Sequence, residues 1–170
     1  SAPHHNDLPI VVLAIDEPSF QELQQPWPFP RQWHAALIDR LREDGARAVA
    51  FDVVFAERGD PAQDQAMADA IARWRQPGGS PAVVLAATRE RLDTDQTTLW
   101  TDVLPLQGLL DAGAVPGQAG VTPDADFVVR RAPTDPDSLS AQLSTRPGQA
   151  TPDWVRYNGP RGSIDTRSYY

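Results

Sequence analysis

Two apolar runs, each carrying an aspartate, constrain what this chain can fold into more than any other feature. Residues 10–15 (IVVLAI) run straight into Asp16, and residues 48–55 (AVAFDVVF) contain Asp52. Continuous apolar runs rich in β-branched residues suit strands covered on both faces, as in a parallel sheet. Between them Trp33, Leu37, Ile38 and Leu41 recur at helical spacing. Asp39, Arg40, Arg42 and Glu43 fall on the other face, and Gly45 stands where a helix C-cap belongs. This is a βαβ pattern. It repeats once: Asp60 caps a helix with Pro61 in its first turn and Met67, Ala70, Ile71 and Trp74 on its buried stripe, and residues 82–87 (AVVLAA) form a third buried-type strand. The implied fold is α/β, with a mainly parallel central sheet, a βαβαβ N-terminal half and helices on both faces.

The second half implies irregular structure with a hairpin. Residues 89–100 read as a polar excursion, residues 105–111 as a short helix ending at Gly113, and residues 120–130 as a hairpin turning over Pro123-Asp124-Ala125-Asp126. Asp135-Pro136 opens another short helix with Leu139 and Leu143, and residues 154–157 form a further strand. Near the start, residues 1–9 read as a tether. Pro18 suits the first turn of a short helix capped by Asp16 or Glu17. The alternate prolines Pro26, Pro28 and Pro30 force an extended path from which Trp27 and Phe29 project.

The composition narrows function by exclusion. No apolar run is long enough to span a membrane. A net charge of −8 argues against nucleic acid and anionic lipid as partners. With no cysteine there is no thiol catalysis, disulfide or thiolate metal site. All 15 basic residues are arginine, which reads as a compositional habit and not as a binding signal.

Several segments in this order resemble the CHASE domain of type two, an extracellular sensory domain of bacterial cyclases and kinases. They are residues 12–19 (VLAIDEPS), Trp27-Pro28-Phe29-Pro30-Arg31 with His34-Ala35, and Phe51-Asp52-Val53-Val54-Phe55. Asp64 with Met67 and Ala70, Pro105-Leu106, Asp124-Ala125-Asp126 with residues 128–131, and Tyr157-Asn158-Gly159-Pro160 extend the likeness. Where that family has a glycine after the acidic turn, this chain has Phe127, and it ends at Ser168-Tyr169-Tyr170 before the family's Gly-Lys-rich strand. The resemblance implies a single sensory domain over residues 10–170 lacking its C-terminal strand, with the tether following an absent membrane segment. It implies a periplasmic or extracellular location, flanking transmembrane helices, a homodimeric receptor, and a cyclase, phosphodiesterase or kinase as cytoplasmic output. The domain itself would be no enzyme and carry no cofactor. Its partner would be a small ligand or a periplasmic protein.

The candidate ligand-binding residues are Asp16, Ser19, Trp27, Arg31, His34 and Asp52. Were the first two strands sheet neighbours, Asp16 and Asp52 would share its carboxyl edge, where open α/β sheets bind ligands. Two carboxylates there can hold Mg²⁺ or Ca²⁺, or a cationic ligand. The plainer reading makes Asp16 a helix cap and Asp52 an acceptor for loop amides or Arg31, so that removing Asp52 destabilises the domain. Arg31 either clamps an anion or makes an internal ion pair with Asp16 or Asp52. His34 is a ligand, a pH sensor or a packed ring. Trp27 anchors its loop or stacks on a ligand. Ser19 starts a helix, since no nucleophile elbow surrounds it. A metal-dependent hydrolase using Asp16 and Asp52, with Glu17 or Glu57 as base, is the alternative, and it has no third ligand at a recognisable spacing.

Overall fold

A computed structural model describes residues 10–76, 78, 81–121, 123–130, 132–133, 135–144 and 163–170. In chain order the elements are β1 (Val11–Ala14), α1 (Glu17–Leu23), α2 (Arg31–Glu43), β2 (Val49–Phe51), α3 (Pro61–Arg73), β3 (Val83–Asp93), β4 (Thr98–Val103), α4 (Gln107–Asp111), β5 (Val115–Gln118), α5 (Leu139–Leu143) and β6 (Asp165–Ser168). The tether over residues 1–9 and the strand expected over residues 154–157 lie outside the described residues. The chain divides into two compact units, one drawn from Ser1–Phe29 with Val155–Tyr170 and the other from Pro30–Trp154.

In the first unit β1 pairs in parallel with β6, Val11 opposite Asp165 and Ala14 opposite Ser168. The sequence pattern suggests β2 as the neighbour of β1, but the ladder that β1 forms is with β6, and β2 is hydrogen-bonded to β3 in a separate sheet. Strand β6 (DTRS) carries no apolar alternation, so periodicity alone does not reveal it. Phe29 is buried, with its ring centroid 5.4 Å from Phe20 and 5.3 Å from Tyr169. Trp27 meets it edge-on at 5.6 Å, and the Trp27–Pro28 bond is cis.

The second unit is the α/β body, and its class is the one the sequence implies. Strands β2, β3 and β5 are parallel, with β3 in the middle. Residues 83–87 of β3 are buried without a break because both faces are covered. Val83 and Leu85 join the core with Ala35 and Ile38 of α2 and Met67, Ala70 and Ile71 of α3. Val84 points the other way, since side chains alternate along a strand, toward Gly117 and Leu139 of α5. Helix α2 ends as its glycine requires: Gly45 has φ +82° and Ala46 N–H closes on the Leu41 carbonyl at 3.0 Å. Helix α3 begins on Asp60, whose carboxylate accepts from the amides of Ala62 and Gln63.

Three further features differ from the sequence reading. Residues 89–100, expected to be a polar excursion, continue β3 and turn back as β4, so the strand hairpin of this fold lies there. Strand β5 (VPGQ) is concealed by two residue types that ordinarily break strands. Its Pro116 is tolerated because β3 is its only strand partner among the described residues, and Gly117 because α5 lies against it. At residues 123–128 there is a tight turn with no strands assigned. Phe127 N–H donates to the Asp124 carbonyl at 2.9 Å and Asp124 N–H to the Val128 carbonyl at 3.0 Å.

Two substitutions test this packing. A Cβ on Gly117 would lie 2.7 Å from Leu139 Cα and 2.9 Å from Val84 Cγ1. Gly117→Ala is therefore expected to lower the stability measured by chemical denaturation by roughly 1–3 kcal/mol, the cost of overpacking. Phe127, at φ +62° and 88% exposed, holds a left-handed conformation without burying its ring. Phe127→Gly relieves that strain and is expected to raise stability by about 0.5–1 kcal/mol, a little less than the full left-handed cost because glycine also loosens the unfolded chain.

Candidate functional site

Two of the candidate residues in the first unit, Asp16 and Ser19, form a hydrogen-bonded latch. Asp16 precedes α1, and its Oδ1 accepts from the Ser19 amide at 3.1 Å and the Ser19 hydroxyl at 2.7 Å. Ser19 is fully buried, and its Oγ also lies 3.2 Å from the Ala14 carbonyl and accepts from the Tyr169 amide at 3.1 Å. The other carboxylate oxygen of Asp16 accepts from the Ser168 hydroxyl at 2.8 Å. The Ser19 hydroxyl, with help from Ser168 and against the cost of desolvation, holds the Asp16 carboxyl below the usual carboxylate range. A hydroxyl engaged as donor to a carboxylate, and buried, is not an activated nucleophile. Burial raises the phenol pKa of Tyr169.

In the second unit, Arg31 opens α2 and is spoken for. One guanidinium nitrogen binds Asp64 on α3 and the other the Glu57 carbonyl, with the group 5.7 Å over the Phe55 ring. Asp64 also accepts from the Gly59 amide at 3.0 Å, which fastens the loop between β2 and α3. The expected ion pair of Arg31 with Asp16 or Asp52 is thus replaced by one with Asp64. Helical phase explains this: Asp64 sits in the first turn of α3, which packs on α2.

His34, one turn after Arg31, is 1% exposed and faces the rings of Phe51 (5.7 Å, 88°) and Phe55 (5.3 Å, 71°). Burial, aided by the Arg31 charge, lowers its pKa from 6.5 to about 4. It is a packed neutral imidazole at neutral pH. Asp52, directly after β2, is exposed. No hydrogen bond or ion pair joins it to the described residues, so the expectation that it supports the fold finds no contact behind it.

Among the described residues no group of three histidine, aspartate or glutamate side chains is placed to hold a metal ion. No described helix is long and apolar enough to cross a membrane. A shallow cleft of about 200 Å³ opens at the amino ends of β3 and β5, lined by Ile71, Trp74, Arg75, Val83 and Val115. Arg75 there is bound to the carbonyls of Asp111 and Ala112.

The family model of the CHASE2 domain matches residues 1–165. The chain belongs to the CHASE2 domain family. No curated protein and no solved structure matches it. CHASE2 domains are sensory, non-catalytic modules of signalling receptors.

Within this CHASE2 domain the six candidates fall into two sets. Asp16, Ser19 and Trp27 belong to the first unit, and Arg31, His34 and Asp52 to the second. Sequence reasoning missed the partners that define their roles: Ser168 and Tyr169 for the latch, and Asp64 and the Glu57 carbonyl for Arg31. Asp64 stood among the family-like residues, but a pairing across 33 positions leaves no periodic trace.

The His34 environment predicts a pH dependence. The unfolded chain takes up a proton near pH 6.5 and the folded one only near pH 4. Stability is therefore fully present above about pH 6.5 and declines as pH falls toward 4, by about 3 kcal/mol in all. Urea titrations across that window are expected to show a shallower decline in His34→Leu, where the remaining slope belongs to the carboxylates.

Proposed function

We propose that this CHASE2 domain is the extracytoplasmic input module of a bacterial transmembrane receptor, and that a small ligand or a periplasmic protein biases it between two conformations. That bias passes through flanking membrane helices to a cytoplasmic cyclase, phosphodiesterase or kinase. The observation that carries the reading is the family match over residues 1–165. The chemistry of the candidates supports it, because each carboxylate or hydroxyl that is buried is consumed by an internal partner and none is poised for catalysis. The metal-dependent hydrolase has no observation in its favour.

Asp52 is the residue proposed to meet the stimulus. It follows β2 at the carboxyl end of the parallel sheet, where ligands of open α/β sheets bind, and it is exposed with its carboxylate uncommitted among the described residues. Arg31 and His34 are proposed to shape that region from behind, as an ion-paired clasp and a packed ring.

Asp52→Ala separates contact from support. In the isolated domain its stability is expected to stay within about 0.5 kcal/mol of the parent, as for surface positions without partners. In the full-length receptor the same change is expected to alter the output response. A destabilised domain, or a receptor that responds as before, would count against a ligand-contacting role.

A further inference from the structure

The second half of β3 and the whole of β4 form a two-stranded ribbon, Thr88 opposite Val103 through Asp93 opposite Thr98. Directly opposed residues share a face. One face carries Thr88, Glu90 and Leu92 beside Leu99, Thr101 and Val103, and the other Arg89 and Arg91 beside Trp100 and Asp102. Leu92, Leu99 and Trp100 are 58%, 49% and 62% exposed, so neither face of the ribbon has found cover. Among the described residues β4 pairs only with β3, which leaves one edge of β4 with unpaired amides and carbonyls. Protein surfaces rarely leave such an edge both apolar and open, since it is a template for another strand.

We infer that the free edge of β4 is an interface with a second copy of this chain, the two β4 strands pairing antiparallel about a two-fold axis at Thr101. The sequence of β4, TLWTDV, is complementary to itself in that register. Thr101 faces its own copy, Leu99 faces Val103, and Trp100 faces Asp102. Leu92, Leu99 and the second copy's Val103 then make one apolar row across the sheet, and symmetry supplies it twice. Asp102, the only charged residue of β4, meets an aromatic ring and its own Arg89, which it binds at 2.7 Å, and never its like. A foreign strand would have to reproduce this alternation, whereas a second copy brings it. Six residues offer about 20 Å of edge. That is less than a stable standard interface provides, so association is weak between free copies and becomes favourable when the copies are held together.

The cysteine-free chain makes the test direct. Thr101→Cys, at an exposed position, is expected to form a disulfide-linked dimer in concentrated solution at least ten times faster than Gln96→Cys at the ribbon's turn. In this register two copies of residue 96 lie about 34 Å apart. Adding Leu99→Glu to Thr101→Cys is expected to slow trapping. Equal trapping at both positions, or none at 101, would overturn the inference. The unsubstituted chain provides a second readout: alternate β4 amides should gain protection from hydrogen exchange as concentration rises. Exchange independent of concentration would overturn it as well.

Discussion

The α/β body depends on one strand being enclosed on every side. Residues 83–85 of β3 pair with β2 along one edge and residues 84–87 with β5 along the other, while α2 and α3 cover one face and α5 the opposite one. A strand in that position must be apolar at every residue, and VVLAA is. Val83 and Leu85 fill the side where the long helices lie, and Val84 faces the opposite side, against Gly117 and α5. Once this strand is set, its neighbours have little freedom. Strand β2 must be parallel because α3 carries the chain back, and β5 must be small at Gly117 because α5 presses on it.

This explains which parts of the fold were legible in the sequence. Elements that bury a periodic face announce themselves, as α2, α3 and the first half of β3 do, and caps such as Asp60 and Gly45 mark their ends. Elements defined by what they touch do not. Strand β5 contains a proline and a glycine that are acceptable only at an edge beneath a helix. Strand β6 is polar along its length and is a strand because β1 offers it a ladder. The ribbon of β3 and β4 looked like a loop because its β3 half, TRERLD, is polar on both faces and shows no apolar alternation.

The candidate site was legible as residue types and not as partnerships. Asp16 was correctly suspected of capping α1, and the structure extends that role to a four-residue network with Ser19, Ser168 and Tyr169. One reading of Arg31 gave it an internal carboxylate partner, and it has one, but the partner is the half-buried Asp64. His34 kept three readings open in sequence, and two phenyl rings decide for the packed one. Of the two candidate aspartates, Asp16 has side-chain partners and Asp52 has none among the described residues, a distinction that residue type alone does not carry.

The parallel pairing of β1 with β6 has a mechanical consequence. Tension applied upstream of Val11 and downstream of Ser168 pulls the two strands in opposite directions along their common axis. The ladder is then loaded in shear, so its hydrogen bonds and the Asp16–Ser168 contact resist together instead of opening one after another like a zip. A pull at these two points is borne by the ladder as a whole.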